Sequence, residues 1–300
     1  MNTCGASSGR ISRTDSLTVY STLIGARDLA PHVADAGWSI FDCRHGGASD
    51  VEAGARAYAE GHIPGARFAH LDRNLAGVKT GGNGRHPLPT RDEFVGWLRS
   101  EGVSDASQVV AYDAQGGIYA ARLWWMLRWI GHEAVAVLDG GIAAWTREGN
   151  SLTQDTPGAR TGNIVARAGV TSVDAAFVES HLGSREWKLV DARSPDRFRG
   201  ENETLDPVGG HIPGAVNRYY IDNLAADGRF KNAAVLRQEW LEVLGDVHAA
   251  DSVQQCGSGV TAAHNLLALE VAGLKGSRLY PGSWSEWVAD PARPIATNGP

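Results

Sequence analysis

Cys256 stands in the stretch Gln254–Ala262, QQCGSGVTA. Two glycines beside it, Gly257 and Gly259, let a loop curl until successive backbone N–H groups point inward. Thr261 then opens a helix, whose N-terminus adds partial positive charge. Gly257, Ser258, Gly259, Val260 and Thr261 would therefore form a cup around the sulfur. A sulfur in such a cup is stabilised as an anion, and the thiolate is the nucleophilic form of cysteine. A persulfide, anionic at neutral pH, would be held in the same way. Cys43 follows a strand signal but has no glycine loop and reads as structural, and Cys4 lies in a polar tail. Three cysteines with no CxxC spacing make no disulfide framework. The ten histidines show no HxxxH or Cys/His spacing, so neither a metal nor any other cofactor is expected.

The elements that must position this cysteine occur twice. GHIPGA begins at residue 61 and again at residue 210, an offset of 149 in a chain of 300. The same offset relates Phe41–Arg44 (FDCR) to Val190–Arg193 (VDAR). A chain that repeats two motifs at half its length is a duplication. We expect two domains, 17–149 and 164–292, joined by a linker at Asn150–Asn163. The halves differ at one place: VVAYDAQGG in the first puts Asp113 where SVQQCGSGV in the second puts Cys256. The first half is therefore expected to be non-catalytic.

In the first half, strands are predicted at Trp38–Asp42, Ala66–Ala69, Gln108–Tyr112 and Ala134–Leu138. Helices are predicted at Arg91–Ser100, with Thr90 and Glu93 forming a capping box, and at Ile118–Trp129, apolar all round. The second half repeats the order: strands at Lys188–Asp191, Ala215–Asn217, Ser252–Gln255 and Arg278–Tyr280, helices at Leu236–Leu244 and Thr261–Ala272. Alternating strands and helices imply an α/β fold with a mainly parallel sheet in each half. Asp42/Arg44 and Asp191/Arg193 recur in both halves and read as buried charge pairs of the fold.

HIPGA twice, DxR after the first strand of each half and CGSGVTA before the last helix resemble the two-domain rhodanese-like sulfurtransferases. The resemblance covers about residues 17–290. Within that group, CGSGVT is similar to the 3-mercaptopyruvate sulfurtransferase type. The thiosulfate type carries basic residues just after the cysteine, where this chain has Gly257 and Ser258. The resemblance implies a persulfide on Cys256, with mercaptopyruvate as donor or thiosulfate as the alternative. A thiol, cyanide or a thioredoxin-like protein would accept the sulfur, and the site would lie between the halves. It implies that Arg197, in DRFRG, binds the donor's anionic group, a task suited to a planar guanidinium. The family's second arginine, before the second HIPG, is missing from ENETLDPVGG, and Arg218 is the candidate replacement. The resemblance further implies a proton-handling triad of Ser258, His62 and an upstream aspartate, with Asp50 nearest. His211, in the duplicate motif, is expected to be structural. Phosphatases of the same fold need Cys-x5-Arg, and the residue six after Cys256 is Ala262.

Composition fits this reading. A hydrophobic share of 43% supports two cores, and the net charge of −6 argues against a nucleic-acid surface. No apolar run reaches the ~18 residues a membrane span needs. The first sixteen residues are polar and read as a floppy start, not a secretory signal. A reducing cytoplasm suits the few unpaired cysteines.

Overall fold

The computed structural model describes residues 19–297; the polar tail with Cys4 lies outside the described residues. Each half is built on one sheet whose paired strands are all parallel. The first half holds β1 (Leu23–Ile24), β2 (Trp38–Asp42), β3 (Arg67–Phe68), β4 (Gln108–Tyr112) and β5 (Val135–Leu138), in the order β1-β5-β4-β2-β3. The second holds β6 (Lys188–Asp191), β7 (Val216–Asn217), β8 (Ser252–Gln255) and β9 (Arg278–Leu279), in the order β7-β6-β8-β9. β4 and β8 are inner strands of their sheets, and the loop after each emerges at the carboxyl ends, where open α/β sheets bind ligands. Asp191 is level with Gln255 in the β6–β8 register, as Asp42 is with Tyr112 in β2–β4.

The repeated DxR motif ties each HIPG turn to its sheet. Arg44 Nη2 donates to Asp42 Oδ2 at 2.6 Å and to the Gly61 carbonyl at 2.7 Å. Arg193 Nη2 donates to Asp191 Oδ2 at 2.7 Å and to the Gly210 carbonyl at 2.6 Å. All four side chains are buried, and each charge sits beside its partner.

The helices Ile118–Trp129 and Thr261–Val271 follow the equivalent strands β4 and β8 and pack against each other. Their buried residues belong to one apolar core that runs through both halves and includes Trp124, Trp125, Leu266 and Trp240. The two carboxyl ends of the sheets are thereby brought face to face. The Thr90–Glu93 capping box closes the helix Arg91–Ser100 as expected. The segment 150–163 is packed and does not behave as a slack linker. Thr153 and His62 exchange backbone hydrogen bonds of 2.9 Å, and Gly162 donates to the Arg99 carbonyl at 2.8 Å. A Cβ on Gly162 would lie 1.9 Å from the Val103 carbonyl oxygen, so a larger residue cannot pass there. Short elements such as β1 and the helices Ala53–Glu60 and Gly141–Arg147 carry too little periodicity to be read from sequence. No helix of the described residues is long and apolar enough to cross a membrane.

Candidate active site

Cys256 leaves the end of β8, and its loop turns at Gly259, whose φ of 75° favours glycine. A Cβ on Gly259 would also sit 2.5 Å from the Pro281 carbonyl oxygen. The backbone N–H of Gly259 donates to Cys256 Sγ at 3.1 Å. Thr261 opens the helix behind the loop. The loop faces the first half across a cavity of about 360 Å³, which Cys256, Gly257, Ser258, Val260 and Thr261 all line.

Ser258 meets a histidine of the first half, but not the expected one. His86 Nδ1 lies 2.8 Å from Ser258 Oγ. His86 Nε2 lies 3.6 Å from Asp72 Oδ1, and Lys79 donates to the same oxygen at 2.7 Å. Burial drives the His86 imidazole down to about 3, so it is neutral at working pH. Burial alone would raise the Asp72 carboxyl; the Lys79 hydrogen bond and the nearby His86 and His45 outweigh it and hold it below its ordinary value. Ser258, His86 and Asp72 thus form the chain of groups that sequence reading assigned to Ser258, His62 and Asp50.

His62 is corrected to a structural role. It is fully buried and stacked on Tyr58 at 3.9 Å, with Nδ1 2.8 Å from the Tyr58 carbonyl and Nε2 3.2 Å from the Asp155 carbonyl. His211 does the same in the second half, stacked on Phe198 at 3.8 Å with Nδ1 2.8 Å from its carbonyl. One motif holds one turn twice. Asp50 is corrected as well: its exposed carboxylate pairs with Arg56.

Arg197 lines the cavity, with Nε and Nη2 donating to Glu203 at 3.0 and 2.9 Å. Arg218 does not reach it. Its guanidinium pairs with Glu239 at 2.5 Å and lies over the Trp240 ring. The second cavity arginine is Arg85, from the first half, paired with Asp206. Burial raises the Asp206 carboxyl even though Arg85 and Arg197 pull the other way.

Arg122 holds the two sides together. This buried guanidinium donates to the carbonyls of Gly259 (3.2 Å), His86 (3.0 Å) and Leu75 (3.2 Å). It thereby links the cysteine loop to the histidine that contacts Ser258. Burial lowers its pKa to about 10.

Sequence reasoning missed His86, Asp72, Arg85 and Arg122. One signal was available for His86 and Arg85. The offset between the halves is 149 at GHIPGA but 143 between Asp113 and Cys256, so the first half carries six extra residues between them. They fall around the Gly- and Pro-rich stretch Gly77–Pro89, which delivers Arg85 and His86 to the site. For Arg122 the signal is one arginine amid the apolar run of Ile118–Trp129.

Two tandem parallel α/β units, facing each other over a cysteine in a glycine loop, define a rhodanese-type architecture. The Rhodanese-like domain profile matches residues 26–148 and 174–290. The chain belongs to the rhodanese-like family and is a sulfurtransferase. It is 46% identical over 278 residues to a Pseudomonas aeruginosa protein named "Probable 3-mercaptopyruvate sulfurtransferase", covering 92% of this chain and 98% of that one. The human 3-mercaptopyruvate sulfurtransferase is 37% identical over 242 residues, 77% of this chain and 78% of that protein. The crystal structure of SseA from Escherichia coli, described among 3-mercaptopyruvate sulfotransferases, matches with a TM-score of 0.77 at 31% identity, over 88% of this chain and 99% of that one.

Proposed function

We propose that the chain moves a sulfane sulfur from 3-mercaptopyruvate to a thiol or cyanide, through a persulfide on Cys256. The observation that carries this reading is the 2.8 Å contact between His86 Nδ1 and Ser258 Oγ, two residues from the nucleophile. In the proposed cycle the Cys256 thiolate attacks the donor's sulfur. The S–S bond forms, the donor's C–S bond breaks, and its electron pair leaves as pyruvate enolate. The proton of the donor's thiol is carried by Ser258 and neutral His86, oriented by Asp72, to the enolate carbon. Pyruvate departs, and an anionic persulfide remains in the cup. An acceptor thiolate or cyanide then takes the outer sulfur and restores the Cys256 thiolate.

In this reading residues 164–292 form the domain with the nucleophile, and 17–149 the domain that supplies the proton relay. Arg197 holds the donor's carboxylate, and the backbone of Gly257, Gly259, Val260 and Thr261 cradles the sulfur. A thioredoxin-like protein is a further acceptor that fits, and a reducing cytoplasm suits the free thiol. Thiosulfate is the alternative donor; its leaving sulfite needs no proton, which makes the relay superfluous.

Incubation with mercaptopyruvate should add one sulfur to the intact mass, removable by cyanide and absent in Cys256→Ser. kcat/KM should favour mercaptopyruvate over thiosulfate. Turnover by Cys256→Ser sinks the persulfide, and a wild-type preference for thiosulfate sinks the donor assignment.

A further inference from the structure

The cavity beside Cys256 holds two arginines, one from each half, and both are already paired. Arg85 is fixed by its backbone N–H, which donates to Ser285 Oγ at 3.0 Å, and its guanidinium pairs with Asp206 Oδ1. Arg197 donates to both oxygens of Glu203 and lies 3.4 Å from Asp206 Oδ2. Asp206 thus bridges the two guanidinium groups, and its side chain is only 3% exposed. Both arginines reach the nucleophile's loop. A Cβ on Gly257 would lie 2.7 Å from Arg85 Nη2 and 3.5 Å from Arg197 Nη2.

The two carboxylates are held differently. Glu203 Oε1 accepts the backbone N–H groups of Leu205 and Asp206 at 2.9 and 3.1 Å, and Arg193 lies 3.5 Å from Oε2. It is part of the loop's own structure. The side chain of Asp206 is held by the two arginines. The remaining charged pair in the cavity, Asp72 with Lys79, is also balanced. Two cations therefore face the donor with two anions directly behind them.

We propose that Asp206, bridging Arg85 and Arg197 across the boundary between the halves, is a charge filter that sets donor specificity. A donor with one negative charge can use the guanidinium faces that Asp206 and Glu203 leave free. A donor with two brings its second charge against those carboxylates, with no cation left to compensate it. Sequence reading named Arg197 for the donor's anionic group, with Arg218 as the candidate second arginine. The structure supplies two arginines, and the restriction comes from the carboxylate between them.

The donor part of this inference rests on the proposed mercaptopyruvate reading, so the test includes a probe that needs no donor. Alkylation of Cys256 by iodoacetate, an anion, is compared with alkylation by neutral iodoacetamide, in the full-length protein and in Asp206→Asn. kcat/KM for thiosulfate and mercaptopyruvate is measured on the same proteins. Each pair of reagents differs by one negative charge, so both ratios should move together. In Asp206→Asn each should rise by about tenfold toward the more negative reagent, with the iodoacetamide rate held within about twofold. Arg85→Gln, which removes a cation instead, should lower both ratios and keeps the test open if Asp206→Asn does not fold. An unchanged iodoacetate-to-iodoacetamide ratio in a folded variant overturns the filter. If the wild type prefers thiosulfate while the alkylation ratio still rises in Asp206→Asn, the filter stands and the donor reading falls.

Discussion

The carboxylate of Asp113 occupies, after β4, the place that the sulfur of Cys256 occupies after β8. Both residues stand five positions before the helix that comes next, at Ile118 and Thr261. Asp113 Oδ1 accepts the N–H groups of Gln115 (2.9 Å) and Gly117 (2.8 Å). Its Oδ2 accepts those of Tyr119 (2.9 Å) and Ala120 (3.1 Å). The first-half loop thus gathers four N–H groups on one carboxyl, and the equivalent loop of the second half aims the N–H of Gly259 at Cys256 Sγ at 3.1 Å. In the first half the Asp113 carboxyl fills the loop; in the second the Cys256 thiol stands in that place.

Asp113→Asn should therefore destabilise the protein without touching its chemistry. Burial raises the Asp113 carboxyl, and four N–H donors work against that shift. An amide in its place would turn an NH2 group toward those donors and leave buried N–H groups unpaired, costing about 2–3 kcal/mol. Urea unfolding should report that loss, while sulfur loading per folded molecule stays at the wild-type level. An unchanged midpoint would show that the carboxylate does not hold the loop.

Acid should weaken the contact between the halves through His264. This ring is fully buried, with Nε2 3.0 Å from the Gly116 carbonyl and Nδ1 3.3 Å from Asn223 Nδ2. Those partners suit the neutral ring, with Nε2 donating and Nδ1 accepting. Burial lowers its pKa from 6.5 to about 4. The unfolded chain then binds more protons between these values, so stability is complete above pH 6.5 and declines as pH falls toward 4. From these two values His264 should account for a loss of about 2 kcal/mol between pH 7 and pH 5. Chemical denaturation across that range should show a shallower decline in His264→Gln, which cannot titrate. Equal slopes in the two proteins would remove His264 as the cause.

How far the site could be read from sequence depended on whether its parts were local. Cys256, its glycines and the helix start are contiguous, and their chemistry follows from their order. Arg197 is four residues past Arg193, the charge-pair arginine that follows β6. Asp72 and His86 are separated by a loop that is longer in the first half than in the second, and only the packing of the two halves brings them to Ser258. His62 was misread because a motif shared by both halves marks the fold: the Tyr58 and Phe198 rings that stack on His62 and His211 show the common job. Strand β8 was read at its full range, Ser252–Gln255, although Gln254 and Gln255 are polar and fully buried. Arg85 and Asp206 were invisible as a pair, since 121 residues separate them.

The two histidines should separate cleanly in kinetics. His86→Gln leaves Cys256 and its cup intact but removes the group 2.8 Å from Ser258 Oγ. With mercaptopyruvate, the enolate must be protonated, and loss of a positioned proton carrier costs about 10²–10⁴ in rate. kcat should fall in that range, with KM changed less, because Arg197 is untouched. With thiosulfate the departing sulfite needs no proton, so the same variant should keep most of its slower activity. Asp72→Asn should follow His86→Gln more weakly, since it orients the ring from 3.6 Å. His62→Gln should instead lower the melting temperature by loosening the Tyr58 stack and the turn, with kcat per folded molecule unchanged. If His62→Gln lost the mercaptopyruvate reaction selectively and His86→Gln kept it, the relay would have to be returned to His62.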